Sequence, residues 1–189
     1  MSMTEQDRVV EAIRSRFDQS ADAVHDLRDG SHSGYRAVHL WARLDSPRGA
    51  WFEVQVRTRL QGQWANMYEA LADVLGRGIR YGELPVGEGD RALVEQTQLL
   101  ALNVIAAIET VREVVSSLER EEPIDRDLLA EAFVNLGFPP DVAVTQAARA
   151  ALPAGMDLAA ITRGTVEDIS AILTEMEEHV RSLSQGKGE

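Results

Sequence analysis

The stretch that decides the fold covers residues 34–65 and reads GYRAVHLWARLDSPRGAWFEVQVRTRLQGQWA. Residues 51–58 alternate between apolar and polar side chains, which is the period of a half-buried β-strand. The apolar positions of this strand are Phe52, Val54 and Val56. Residues 35–44 alternate less regularly and predict a second strand, and DSPRG at 45–49 is typical of a turn. We therefore expect a β-hairpin.

Polar side chains collect on one face of this hairpin. Glu53, Gln55 and Arg57 are two residues apart, so they point to the same side of their strand. Tyr35 and His39 share a face of the neighbouring strand, and hairpin pairing can bring the two rows side by side. An aromatic ring, cations and a carboxylate would suit a purine nucleotide, its phosphates and a hard metal ion. The alternative interpretation is a solvated strand face with an exposed salt bridge.

The rest of the chain predicts helices around this hairpin. Apolar residues at helical spacing indicate helices at 4–17, 60–75, 90–119, 124–136, 141–151 and 165–183. The segment 76–89 is rich in Gly and Pro and is interpreted as a linker. The fold class is therefore α/β, of the α+β type, with a region at 1–80 and a helical C-terminal region at 90–189.

Two strands alone do not make a stable sheet. A third strand would come from residues 18–33, where Ala23, Val24 and Leu27 are available, or from a partner outside the chain; otherwise the sheet is unusually small. Trp64 is predicted to lie in the core behind the sheet.

Composition limits the classes of function. The chain has 189 residues, no cysteine and a net charge of −12, which argues against non-specific binding of nucleic acid. Residues 34–64 nevertheless carry five Arg against two acidic residues, a local excess that suits a small anionic ligand. No signal peptide and no apolar run long enough to span a bilayer are visible, so we expect a cytoplasmic protein that does not associate with membranes. Arg outnumbers Lys 18 to 1, which hints at a GC-rich bacterial source.

The words GYRxxH, ExQxRT and WA, at residues 34–39, 53–58 and 64–65, resemble the RelA/SpoT family of guanosine tetraphosphate and pentaphosphate synthetases, also called GTP pyrophosphokinases. The resemblance implies alarmone metabolism of the stringent response, with a pyrophosphoryl group transferred from ATP to the 3′-hydroxyl of GTP or GDP and Mg²⁺ as cofactor. It also implies a partial mixed β-sheet of the nucleotidyltransferase type, flanked by helices.

The resemblance assigns roles to individual residues. Tyr35 would stack on the guanine, and His39 would lie near the phosphates of the acceptor nucleotide. Glu53 would be the catalytic carboxylate, as a Mg²⁺ ligand or by helping to deprotonate the 3′-hydroxyl. The remaining predicted substrate-binding residues are Gln55 and Arg57, which would line the same pocket, and Arg36, which would add positive charge.

The resemblance covers residues 4–75, the second half of a synthetase domain. The family's basic ATP-binding segment and metal-binding Asp precede GYRxxH, and residues 1–33 show neither; Asn66 and Glu69 stand where the family usually has an acidic residue and a His. We therefore expect the chain to be inactive or incomplete alone, unless a partner or a second copy supplies the missing half. The alternative is a non-catalytic protein that binds guanine nucleotides or assembles through its helices, with 90–119 in a homo-oligomer.

Overall fold

The computed structural model describes residues 1–17, 23–29, 33–44, 49–137, 139–141, 143 and 158–185. It confirms the α+β class, with helices that flank a small sheet and a helical C-terminal region. The helices are α1 (Met3–Phe17), α2 (Arg59–Leu75), α3 (Glu88–Leu99), α4 (Ala106–Glu119), α5 (Arg126–Asn135) and α6 (Leu158–Gln185).

The sheet has three strands in the order β1-β2-β3, with bounds Val24–Asp26, Val38–Arg43 and Trp51–Val56. β1 lies within the segment that the sequence offered for a third strand. Both pairings between the described strands are antiparallel, whereas the resemblance implied a mixed sheet. In the β2–β3 hairpin, His39 lies opposite Gln55 and Trp41 lies opposite Glu53. This register places the two polar rows on one face.

The other face of the sheet packs against α1. Its buried cluster joins residues of α1, β2 and β3, namely Val10, Val38, Leu40 and Val56. Each such side chain contributes about 1.5–3 kcal/mol when it is fully buried. The apolar face therefore fixes the orientation of both strands, and the polar face is left toward solvent.

The main core lies behind the sheet, around α2. Thr58 caps α2 in a capping box with Gln61, which explains why the helix begins directly after β3. Trp64 is 1% exposed, as predicted for a core residue. Its ring stacks on Tyr68 at 4.6 Å, and its Nε1 donates to the carbonyl of Thr97 at 2.8 Å. The indole N–H is thus satisfied inside the core.

The predicted long helix at 90–119 is confirmed and starts two residues earlier. α3 and α4 are joined by a π-helical segment, Leu100–Ile105, so that helical structure runs from Glu88 to Glu119. The N-cap is Gly87, and Asp90 lies in the first turn. The buried apolar residues of this helix pack inside the chain: Val94, Ala101, Ile105, Ala107, Ile108, Val111 and Val114.

The regions 1–80 and 90–189 contribute to one hydrophobic cluster. It contains Leu60 and Met67 of α2 together with Ile105, Leu173 and Val180 from the later helices. The division into these two regions stays a prediction. The segment 76–89, interpreted as a linker, includes a 3₁₀-helix at Arg77–Tyr81.

Most of the helix predicted at 141–151 falls outside the described residues. Across the parts of the chain that the structure describes, no helix has the length and apolar character needed to cross a membrane.

A buried carboxylate ties these elements together. Glu109 of α4 is 3% exposed and accepts hydrogen bonds from Arg36 Nη2 and Gln61 Nε2, each at 3.1 Å, and from the hydroxyl of Thr58. Gln6 of α1 joins the same network, because its Nε2 donates to Gln61 Oε1 at 3.1 Å. One charged group therefore connects the residues that flank the hairpin to α1, α2 and α4.

Glu109→Gln should destabilise the fold by about 3 kcal/mol, because it leaves the buried Arg36 charge without a counter-charge. The measurement is the free energy of unfolding in denaturant. Adding Arg36→Met to Glu109→Gln should recover part of this loss, since the unpaired charge is then removed. The matched control is Asp73→Asn in the exposed Asp73–Arg77 pair, which should change stability by only a few tenths of a kcal/mol. An equal effect of the two single substitutions would contradict the importance of Glu109.

Candidate functional site

The polar face of the sheet is organised around the hydroxyl of Tyr35. This oxygen accepts hydrogen bonds from Arg57 Nη2 at 2.5 Å and Nε at 3.2 Å. It also lies 2.9 Å from His39 Nε2 and 3.2 Å from Gln55 Oε1. Four side chains that are distant in sequence thus meet at one hydroxyl group.

Glu53 extends this network along β3. Its Oε1 lies 2.8 Å from His39 Nδ1, and its Oε2 accepts from Gln55 Nε2 at 2.8 Å. A carboxylate at Nδ1 favours the tautomer in which that nitrogen carries the proton, so that Nε2 can accept from the Tyr35 hydroxyl. The result is a connected chain of hydrogen bonds from Glu53 through His39 and Tyr35 to Arg57.

The Tyr35 ring is held by two neighbours as well. The Arg57 guanidinium lies 4.9 Å from the ring centroid, and the His39 imidazole meets the ring edge-on at 5.6 Å. Burial raises the pKa of the Tyr35 hydroxyl above its ordinary value, although the hydrogen bond from Arg57 opposes this effect. Tyr35 is therefore protonated at neutral pH and able to donate a hydrogen bond.

These residues line a cleft of about 620 Å³, within the range of small-molecule sites. The opposite wall comes from α2 and from the 3₁₀-helix that follows it, through Tyr68, Glu69, Arg80 and Tyr81. Arg80 Nη2 lies 3.5 Å from Glu69 Oε1, and the Tyr81 ring is 82% exposed at the rim. Sequence reasoning missed this wall, because a short 3₁₀-helix in a Gly-rich segment carries no periodic signal.

The structure brings together most of the predicted site residues. Tyr35, His39, Gln55 and Arg57 line the cleft, and Glu53 is bonded to two of them. Arg36 is elsewhere: its guanidinium is buried and paired with Glu109, so it does not add charge to the cleft. A buried partner one helix away cannot be inferred from sequence spacing. The binding and catalytic roles of these residues stay predictions.

The predicted Mg²⁺ ligand, Glu53, does not have the surroundings of a complete metal site. Both of its oxygens are engaged by His39 and Gln55. Within the described ranges, no three His, Asp or Glu side chains are grouped so that they could hold a metal ion. Protein residues alone therefore do not fit Mg²⁺ here, and phosphate oxygens would have to complete its coordination.

Gly34 allows Tyr35 to approach the core. Its φ is +81°, and an added Cβ would lie 3.1 Å from the carbonyl oxygen of Gln98 and 3.2 Å from the Trp64 ring. Only glycine adopts this conformation without strain while it leaves room for both neighbours. The first residue of the GYR word thus has a geometric function.

Gly34→Ala should lower the free energy of unfolding by about 1 kcal/mol or more, because both its φ and its space are unsuited to a side chain. The control is Gly62→Ala, which lies inside α2 with nothing within 4 Å of the added Cβ. That substitution should be neutral or stabilising by up to about 1 kcal/mol, since alanine favours helices. Denaturant unfolding of both variants measures the difference, and a neutral Gly34→Ala would refute the steric argument.

Comparison with known proteins finds similarity over part of the chain. Uncharacterized proteins of Mycobacterium bovis and Mycobacterium tuberculosis are 54% identical to it over 81 residues. The matched segment is 43% of this chain and 29% of each relative, so the chain spans less than a third of the length of these curated relatives. No protein-family model and no solved structure matches the chain. The relatives are bacterial, which agrees with the expected source.

Proposed function

We propose that the cleft binds a guanine nucleotide and that the chain carries the acceptor half of a RelA/SpoT-like alarmone synthetase. The reaction would transfer a pyrophosphoryl group from ATP to the 3′-hydroxyl of GTP or GDP. The observation that carries the proposal is the convergence of Tyr35, His39, Gln55 and Arg57 in one cleft, with Glu53 bonded behind them. A face that only needs to be soluble does not require five interlocked polar groups.

The chemistry of the cleft suits a nucleotide. Arg57 and Arg80 supply fixed positive charge for phosphates from opposite walls, and His39 adds a third polar nitrogen. The partly exposed Tyr35 ring and the exposed Tyr81 ring offer aromatic surface for a base. Phosphoryl transfer depends mostly on positioning and on neutralisation of charge, and this constellation can contribute to both. Mg²⁺ enters the proposal only together with nucleotide phosphates.

The alternative is a guanine-nucleotide-binding protein without catalysis. Incubation with ATP, GTP and Mg²⁺, followed by chromatography for tetraphosphate and pentaphosphate products, separates the two. We expect nucleotide binding without turnover for the chain alone, because the ATP-binding half is not recognisable in residues 1–33. Product formation would show that the chain, or an assembly of its copies, supplies that half as well.

The second alternative, an interaction protein that assembles through 90–119, has less structural support. The buried apolar residues of that helix are used inside the chain, so they do not form a free surface. Exposed apolar side chains on other parts of the helices include Leu128 and Ile172. Size-exclusion chromatography with light scattering tests this alternative, and a monomer would count against it.

Tyr35→Ala should weaken binding of GDP and GTP by about tenfold or more, since base–aromatic stacking and the central hydroxyl are lost together. Tyr35→Phe keeps the ring and removes only the hydroxyl, so it separates the two contributions. Arg57→Gln should weaken binding by a similar factor through lost phosphate and ring contacts. Isothermal titration calorimetry measures each affinity.

The matched control for charge is Arg77→Gln, at an exposed arginine that pairs with Asp73 and does not line the cleft. It should leave nucleotide affinity unchanged within twofold. The proposal is wrong if the wild-type chain binds neither GDP nor GTP, or if Tyr35→Ala binds them as tightly as wild type.

A further inference from the structure

Two tryptophans lie exposed on the same sheet face as the cleft. Trp41 of β2 is 43% exposed and Trp51 of β3 is 60% exposed. Trp41 lies directly opposite Glu53, and Trp51 lies opposite Arg43. Tryptophan is strongly buried on average, so two exposed indoles on one small sheet need an explanation.

Both indoles are unused by the fold. Trp64 shows how this chain employs a structural tryptophan, with a stacked ring and a satisfied N–H. In contrast, neither Trp41 nor Trp51 forms a ring contact or a side-chain hydrogen bond among the described residues. Their large aromatic faces are therefore available to a ligand.

The surroundings of the two indoles favour a nucleotide over an apolar protein surface. Arg43, Glu53 and the exposed His25 lie on the same face, so the aromatic area is interrupted by charged and polar groups. Trp41 is two residues from His39 along β2, a distance of about 7 Å. The indoles thus continue the polar row that leads into the cleft. A net charge of −12 disfavours a long nucleic acid as the occupant.

We propose that Trp41 and Trp51 form a stacking subsite for the base of a second purine nucleotide, beside the one held in the cleft. The inference rests on the proposed function and adds to it a residue-level position for a second ligand. Indole rings stack on any base, and Arg43 beside Trp51 supplies a cation for the attached phosphates. The row His39–Glu53 would then lie between the two nucleotides.

The test is calorimetric titration of ATP into the chain saturated with GDP, with tryptophan fluorescence as a second readout. We expect ATP to bind and to quench the exposed tryptophans. Trp41→Ala and Trp51→Ala should each weaken ATP binding by about tenfold and leave GDP binding unchanged within twofold. Trp41→Phe and Trp51→Phe keep an aromatic face and should retain most of the affinity for ATP.

Ile172→Ala, at an exposed apolar residue of α6, is the matched control and should change neither affinity. Binding of GDP without ATP, or ATP binding that survives both alanine substitutions, would overturn this inference and leave the guanine-nucleotide proposal intact. If neither nucleotide binds, both proposals fail. If Trp51→Ala instead converts a dimer into a monomer, the indoles cover a second copy of the chain and the subsite is refuted.

Discussion

The buried carboxylate of Glu109 is the interaction on which the cleft depends. It binds Arg36, which follows Tyr35, and Thr58, which follows Arg57. The two central side chains of the polar face are thus each one residue away from a group that Glu109 holds. Because a buried charge requires its partners, the network fixes the relative positions of hairpin and helices more strictly than apolar packing alone.

The two faces of the sheet have opposite functions. Val38, Leu40 and Val56 pack against α1 and provide free energy for folding, whereas the polar face provides chemistry. On that face the Tyr35 hydroxyl joins groups from β2 and from the end of β3. A preorganised network of this kind lowers the cost of ordering side chains when a ligand binds. This is the physical reason to assign the cleft a binding function.

The wall formed by α2 and the 3₁₀-helix turns a polar sheet face into a cleft. Without Tyr68, Arg80 and Tyr81, the polar row would be an open surface with little power to enclose a base. The mycobacterial relatives share 81 residues with this chain and are much longer. The nucleotide proposals therefore rest on the site itself and on the resemblance of its sequence words.

The sequence by itself determined the hairpin, the helices and the shared face of Glu53, Gln55 and Arg57, because alternation and helical spacing are local properties. It also predicted Trp64 in the core. Only the tertiary structure decided that Arg36 is withdrawn to Glu109, that Arg80 and Tyr81 face the hairpin, and that β1 completes the sheet. Each of these depends on contacts between residues far apart in the chain, and no local pattern encodes such contacts.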